Sequence, residues 1–340
     1  MRKFLLLLLL LVVPLAAREL DKSSQLVLED WLIASKIGTP ARYRNLVLYP
    51  VVAPARKLPD YNTLDQALAL GSLVIGETNE SGSVNELRIE NRGSQPVFIM
   101  AGEILQGAKQ DRVLQDDLWL PARSGRTSVA VYCVEHGRWN YQSTNFEKSR
   151  PVAANIAVRA TARETNSQGA VWSSVEKSQT KAGYSDSTNL GLTYEDPKVK
   201  SRLEGYRDAL GTFARENPEA RGVVVQVGDR LLAVDLFGNR SEFVLKFTKL
   251  LPSYALEAAN ADGASATADP RRALNFLRQV AGGEWSAKST PGEGRLLTVS
   301  GSELSGSALV LDQVVVHLEA FPKGIASPDE RPPIQRNYDR

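Results

Sequence analysis

The amino-acid sequence predicts an α+β protein: a β-rich N-terminal half, built as a bent sheet or a sandwich, followed by helices packed on a second set of strands. Three observations predict this class. Short apolar runs separated by glycine-containing turns dominate residues 73–135, as in bent sheets and sandwiches. Apolar residues then recur at three- and four-residue steps over 199–213 and 243–258, which indicates amphipathic helices. Apolar runs between 296 and 318 add the last strands.

The first 17 residues have the pattern of an export signal. Arg2 and Lys3 form a basic start, an apolar run covers residues 4–15, and Ala16-Ala17 offers small residues for cleavage. The run is shorter than the ~20 residues that a spanning helix needs. We therefore expect a cleaved signal peptide over 1–17, an exported (periplasmic or extracellular) protein, and no stable membrane span after cleavage. A buried helix or an uncleaved anchor is the alternative.

Start, turn and breaker signals predict the elements that follow. Residues 140–196 are rich in Ser, Thr, Asn, Gln and Lys, so we expect one or two helices within 159–181 and otherwise a long surface excursion. The other elements are strands over 46–52, 73–75, 84–89, 97–100, 113–120 and 127–134, a short helix begun by the capping box Thr63 to Gln66, a helix begun by Asp196-Pro197, a hairpin around Gly228-Asp229, a helix from Ser241 kinked at Pro252, and a helix begun by Asp269-Pro270.

The composition is that of a soluble globular protein, with 43% hydrophobic and 24% charged residues in a chain of 340. We expect an N-terminal arm over 18–37, a single domain over 38–320 and a disordered, polar tail over 321–340. The chain has 41 basic and 39 acidic residues, and cleavage after residue 17 would leave 39 of each. A net charge of zero gives no support to nucleic-acid binding, which requires a basic surface.

The same composition limits the cofactors. One cysteine and two histidines cannot build a structural zinc site of several such ligands. The dinucleotide fingerprint and the phosphate loop are both absent. We therefore expect no cofactor and no metal, although a carboxylate site for calcium or magnesium stays open. Nothing in the sequence identifies a protein partner.

The densest chemistry lies between Gly102 and Trp139, where charged residues stand among apolar ones. Glu103 directly follows a strand and a glycine, so it could orient a ligand or act as a base. The alternative is an internal ion pair with Arg112 or Arg138. In the run from Gly107 to Arg112, the side chains of Lys109, Gln110 and Arg112 could hold an anion, or the run could be a solvated hairpin turn.

The second stretch begins at the only cysteine. Cys133 and Glu135 fall on one face of a strand, and a thiol beside a carboxylate is a poor nucleophile. Cys133 with His136 could form a dyad, but burial of the thiol is favoured. Arg138 could bind an anion, and Trp139 could stack on a planar ligand or close the core.

These residues resemble one family, the ARG (ADP-ribosylglycohydrolase) and rhodanese-phosphatase-superfamily-associated protein domain, a domain of unknown function. The likeness covers about residues 38–320 and lies in these segments: Gly102-Glu103, Gln106 to Arg112, Cys133 to Glu135, Gly137 to Trp139, Gln168 with Val171-Trp172, Asp235 to Gly238, and Leu250-Leu251 with Tyr254. The resemblance implies a role near ADP-ribose or related nucleotides, and a site at Glu103, Lys109, Gln110, Arg112, Glu135, Arg138 and Trp139.

Three functions follow as hypotheses. The leading one is a binding module for a small anionic, nucleotide- or ADP-ribose-like ligand, held by Lys109, Gln110, Arg112, Arg138 and Trp139. The second is a hydrolase of a phosphorylated or glycosidic substrate, with Glu103 and Glu135 as acid and base. The third is a structural envelope protein without a ligand. Sequence alone does not decide whether the protein is an enzyme.

Overall fold

Helix and strand take nearly equal shares of the chain, about 34% and 33%, which confirms the α+β class. The computed structural model describes residues 21–79, 81–137, 143, 145–261 and 267–326. The predicted signal peptide, Arg138, Trp139 and the tail beyond residue 326 lie outside these ranges. Within them, no helix is both long enough and apolar enough to cross a membrane.

The first structural layer is a nine-stranded antiparallel sheet with the order β1-β3-β13-β14-β18-β17-β16-β15, in which β2 also pairs with β3. Two of its neighbouring strands come from opposite halves of the chain, since β3 pairs with β13. The strands are β1 (Lys36–Ile37), β2 (Ala41–Tyr43), β3 (Leu46–Val52), β13 (Gly222–Val227), β14 (Arg230–Phe237), β15 (Trp285–Lys288), β16 (Arg295–Ser300), β17 (Leu304–Leu311) and β18 (Val314–Pro322).

Two smaller sheets hold the motif residues. One has six strands in the order β12-β8-β9-β11-β6-β5, and the other has the order β10-β7-β4. Their strands are β4 (Asn62–Thr63), β5 (Leu73–Glu77), β6 (Glu86–Asn91), β7 (Val97–Ile99), β8 (Glu103–Gly107), β9 (Arg112–Leu114), β10 (Leu118–Leu120), β11 (Gly125–Cys133) and β12 (Phe146–Ala153).

Four of the helices start at, or within one residue of, the position that local signals predicted. Thr63 and Gln66 form the capping box of the short helix, and Asp196 accepts two N–H groups ahead of Pro197. The helix expected to kink at Pro252 continues through that residue. The helices are α1 (residues 21–34), α2 (Leu64–Ala69), α3 (Ile156–Thr165), α4 (Gln168–Ala182), α5 (Leu190–Thr193), α6 (Pro197–Leu210), α7 (Phe213–Glu216), α8 (Arg240–Asn260) and α9 (Pro270–Ala281).

The large sheet lies between two layers of helices. In β13, Val223 and Val225 belong to the core shared with α3, α4, α6 and α8, whereas Val224 belongs to the core shared with α1 and α9. This alternation is the two-residue period of a strand that is buried on both faces. A third core lies among α2 and the smaller sheets. The apolar faces predicted for the helices therefore pack against sheets.

The expectation of a long surface excursion over 140–196 is wrong. Among the described residues there, β12, α3, α4 and α5 are regular elements with buried positions. The segment contains few large apolar residues, because small residues and paired polar side chains, such as Arg150, Arg159 and Asn189, fill its buried positions. The low content of large apolar residues therefore led to an underestimate of how much of this segment is buried. The expected helices within 159–181 are present.

Candidate functional site

Glu103 begins β8 and is completely buried. Its carboxylate lies 2.8 Å from both Lys246 Nζ and Lys249 Nζ, and it accepts the N–H of Met100 at 3.0 Å. Burial acts to raise the pKa of Glu103, but the two lysines outweigh it and lower the pKa to about 2. The ion-pair alternative is therefore correct in kind, with different partners from the expected Arg112 or Arg138.

Gly102 has a positive φ of 83°, and a Cβ at this position would lie 3.0 Å from the side chain of Arg159. The glycine therefore permits a close approach, as its position after a strand indicated. The group that approaches is an arginine of the protein itself, so this glycine gives no sign of a ligand.

A serine and a lysine meet beside Glu103. Lys249 Nζ lies 2.7 Å from Ser149 Oγ and 2.6 Å from Asp65 Oδ2, an arrangement that resembles a serine–lysine dyad. Burial acts to lower the pKa of Lys249, but Glu103 and Asp65 raise it above its usual value. A lysine held in its protonated form cannot take a proton from serine. In this arrangement Lys249 donates a hydrogen bond to Ser149 and does not accept one from it.

The run from Gly107 to Arg112 is the turn between β8 and β9, and it is buried, not solvated. The guanidinium of Arg112 donates to the carbonyl of Gln110 at 3.1 Å and lies 3.5 Å from Glu77. Lys109 Nζ donates to the carbonyl of Ser81 at 2.7 Å. The structure thus brings Lys109, Gln110 and Arg112 together, and directs Lys109 Nζ and the terminal nitrogens of Arg112 to groups of the protein.

Asp111, at the same turn, anchors a second ion pair that the sequence did not reveal. Arg150 donates to its carboxylate from two nitrogens, at 2.9 and 3.0 Å, and Asn189 donates at 3.0 Å. Arg150 also pairs with the half-exposed Glu195. These contacts connect the turn to β12 and α5. No local signal points to Arg150, because its strand β12 also carries Glu147, Lys148 and Pro151.

The two glutamates proposed as acid and base lie at opposite ends of β8. Glu103 begins the strand, whereas Glu135 accepts the N–H of Asp111, whose side chain accepts from Gly107 at the strand's end. Four residues of strand correspond to about 13 Å. Paired glycosidase carboxylates lie about 5–9.5 Å apart, and the role of Glu103 and Glu135 as acid and base stays a prediction.

Cys133 is buried, as the sequence indicated, and its Sγ lies 3.3 Å from the carbonyl of Val84. Burial, together with Glu77 and Glu135, raises the pKa of the thiol to about 12. The prediction of a poor nucleophile is confirmed. His136 packs its ring on Trp172, with 4.5 Å between centroids. Arg138 and Trp139 lie outside the described residues.

A buried network joins the large sheet to α3. Arg159 donates to Asp235 and Glu319, and Arg163 donates to Asp116 and Glu319. Asp235, which had looked like a ligand position, is therefore paired internally. His317 Nδ1 lies 2.9 Å from Asp117 Oδ2, and Nε2 lies 3.6 Å from Asp235. Burial acts to lower the pKa of His317, but the two aspartates raise it to about 9.

The part of the chain that the structure describes contains no cluster of three or more His, Cys, Asp or Glu that could hold a metal ion. The described charged groups of the predicted site, Glu103, Lys109, Arg112 and Glu135, form ion pairs or hydrogen bonds within the protein.

A groove of about 860 Å³ lies between α6 and α8. Its volume falls in the range of small-molecule sites, which are mostly apolar concave surfaces with a few polar groups. Sequence reasoning did not find it, because each helix showed only a partly apolar stripe. The apolar part of the lining consists of Val152, Tyr194, Pro197, Leu203, Gly211, Phe247, Leu251, Pro252 and Ala255.

The charged residues of the groove differ in their pairing. Arg207 lies 3.3 Å from Glu204 and 3.6 Å from Asp208, so one positive charge faces two negative ones. Lys200 and Arg215 also line the groove, and neither has a carboxylate partner within the described ranges. The groove thus combines an apolar floor with three cations and two carboxylates, a formal net charge of +1.

Comparison with known proteins assigns the family. No curated protein and no solved structure matches the chain. The profile of the ARG and Rhodanese-Phosphatase-superfamily-associated Protein domain matches residues 34–321, which is more than four fifths of the sequence and agrees with the resemblance found in its motifs. The activity of this domain is not established. The chain belongs to the ARG and Rhodanese-Phosphatase-superfamily-associated Protein domain family.

Proposed function

We propose that this protein binds a small amphipathic anion in the groove between α6 and α8. The observation that carries this function is the coincidence of an apolar cavity of about 860 Å³ with Lys200 and Arg215, two cations that lack a carboxylate partner in the described structure. The apolar body of the ligand packs against Leu203, Phe247 and Leu251. Its anionic group lies near the two cations, which supply charge complementarity.

Two further groups of the lining can select a ligand. Pro252 has no N–H, so the carbonyl of Thr248, four residues earlier in α8, lacks its helical donor. Both residues line the groove, and a ligand N–H or O–H can supply the missing hydrogen bond. The hydroxyl of Tyr194 is buried without a partner in the described structure, at a cost of about 1–3 kcal/mol for such a group. A ligand oxygen that reaches it would recover part of that cost.

Nucleotides and ADP-ribose fit this ligand class, because they combine a planar apolar base with phosphates. The family's name associates it with ADP-ribosylglycohydrolases, so ADP-ribose belongs among the candidates to be tested. The binding residues proposed now are those of the groove, since Lys109 and Arg112 are engaged within the protein.

A thermal-shift screen tests the function with ADP-ribose, AMP, aryl phosphates and medium-chain carboxylates. A true ligand at 100 times its dissociation constant adds about 2.7 kcal/mol to the free energy of unfolding. Replacing Ala255 by Trp fills the groove and should abolish the shift. Lys200→Gln and Arg215→Gln should each weaken binding by about fivefold, the worth of one solvent-exposed charge pair.

Lys198→Gln is the matched control, because Lys198 lies on α6 near Lys200 but does not line the groove. It should bind like the wild type. A flat screen, or equal binding by Ala255→Trp and the wild type, would overturn the function. A flat screen would favour a structural role instead, which the internal ion pairs of Glu103 and Arg112 also support.

A further inference from the structure

A second cavity, of about 430 Å³, lies where the β2–β3 turn meets the ends of α4 and α8. None of its lining residues lines the α6–α8 groove. We call it the turn pocket, and its lining consists of Arg44, Asn45, Arg202, Tyr206, Ala258, Ala259 and Ala261. It is polar where the groove is apolar, since its side chains are mostly arginine, asparagine and tyrosine.

The polar floor of the turn pocket is fixed by hydrogen bonds. Asn45 is buried, donates to the carbonyl of Ala258 at 2.9 Å, and accepts the hydroxyl hydrogen of Tyr206 at 2.8 Å. Arg202 donates to the carbonyls of Ala182, at 2.7 Å, and Ala259. These contacts take two of the five N–H groups of the Arg202 guanidinium, so three donors remain.

Arg44 faces the same space from the β2–β3 turn. Its guanidinium lies 5.4 Å from the centre of the Tyr43 ring, and its backbone has a φ of 51°. Burial raises the pKa of Tyr206, and both Arg44 and Arg202 act against that rise. The two positive charges and Tyr206 line the same pocket.

The described residues around the turn pocket carry a net positive charge. Among the residues that the structure describes, neither Arg44 nor Arg202 forms an ion pair with a carboxylate. The pocket adjoins the C-terminal ends of α4 and α8, each equivalent to about half a negative charge. Two guanidiniums against two helix ends leave about one net positive charge. Like charges held together without a carboxylate favour an anionic guest.

We propose that the turn pocket binds the phosphate group of a small soluble molecule, with Arg44 and Arg202 donating to its oxygens. Arginine presents its donors in a planar fork that matches phosphate oxygens two at a time. The two side chains keep eight N–H groups between them, enough for at least one donor to each phosphate oxygen. The site is separate from the α6–α8 groove and does not depend on the function proposed there.

Isothermal titration with inorganic phosphate and glycerol phosphate tests this site, with acetate and chloride as planar and non-specific anions. The wild type should bind both phosphates saturably, and Arg44→Gln should weaken them by about tenfold or more. Arg44 makes no hydrogen bond that holds the fold in the described structure, so this variant should unfold at the wild-type temperature. Arg44→Lys keeps the charge but loses the fork, and should bind with intermediate affinity.

Arg42→Gln is the control, because Arg42 lies on β2 outside the pocket lining, and it should bind phosphate normally. Lys200→Gln should also bind phosphate normally, which separates this site from the groove. A lack of saturable heat in the wild type, or equal binding by Arg44→Gln, would overturn the inference. Binding to phosphatidic acid vesicles without binding to glycerol phosphate would also overturn it, because the ligand would then be a lipid surface.

Discussion

Glu103 shows that the charged motif is paired within the protein. In place of water, its carboxylate contacts two ammonium groups and one backbone N–H. A charge removed from water is costly, and an ion pair compensates for that cost only when its geometry is good. The carboxylate meets this condition with two contacts of 2.8 Å. Removing one partner is expensive, because the remaining charges stay buried.

Glu103→Gln should therefore destabilise the protein by about 3–5 kcal/mol. Lys246 and Lys249, both nearly buried, would lose their shared counter-charge. The midpoint of urea denaturation at pH 7 measures this effect. Glu90→Gln is the control, since Glu90 pairs with Arg92 and Arg126 at the surface, and it should unfold like the wild type.

The same residue sets a dependence on pH. The pKa of Glu103 falls from 4.5 to about 2 in the folded protein, so its contribution to stability is complete above pH 4.5 and is lost as the pH falls towards 2. Glu103→Gln should lack this part of the acid sensitivity. An identical acid profile for the variant and the wild type would contradict the ion-pair assignment.

The sequence predicted the burial of Cys133 better than it predicted the partners of the charged motif residues. Cys133 follows its strand into the core, and local spacing was enough to predict that burial. Glu103 and its partner Lys249 are separated by 146 residues, and no local pattern relates them. The pairing depends on how α8 packs against β12, which is a tertiary property. For that reason Arg112 and Arg138 seemed the natural partners of Glu103.

Helix α6 forms one wall of the proposed groove, and its start was predictable because capping depends on adjacent residues. Asp196 accepts the N–H groups of Lys198 and Val199, both at 2.9 Å. Strands β12 and β13 show the contrast. The hairpin of β13 carries continuous valines and was predicted, whereas β12 alternates charged residues and a proline and was missed.

Asp196→Ala should destabilise α6 by about 1 kcal/mol, the usual worth of an N-cap side chain. The replacement removes the carboxylate that accepts two backbone N–H groups at the N-terminus of α6. This is the helix that carries Lys200. Differential scanning calorimetry measures the change, and Asp196→Asn, which keeps an acceptor, should restore most of it. Equal destabilisation by both replacements would show that capping is not the cause.

At the scale of the whole molecule, the buried network at His317 joins separate layers. His317 and Glu319 lie on β18, Asp235 on β14, and Arg159 on α3. With His317 protonated and Lys288 paired to Asp116, four positive charges meet four negative charges. The positive charges belong to Arg159, Arg163, Lys288 and His317, and the negative charges to Asp116, Asp117, Asp235 and Glu319.

Raising the pH should weaken this junction. The pKa of His317 rises from 6.5 to about 9 on folding, so its contribution is complete below pH 6.5 and is lost as the pH rises through about 9. Thermal unfolding between pH 6 and 10 should show a loss that is absent in His317→Gln. His136→Gln, at the other histidine, should keep the wild-type slope. A slope retained by His317→Gln would assign the loss to other groups.

The pairing of β3 with β13 has a consequence for the order in which the protein can be assembled. About 170 residues separate the end of Leu46–Val52 from the start of Gly222–Val227. A ribosome adds about 5–20 residues per second, so the first strand waits roughly 10–30 s for its neighbour. β1 and β2 can cover one edge of β3 as soon as they are made, whereas the edge that later pairs with β13 stays open during synthesis. An open strand edge of this kind can pair with other chains, so we expect the nascent chain to be most prone to aggregation before its second half has emerged.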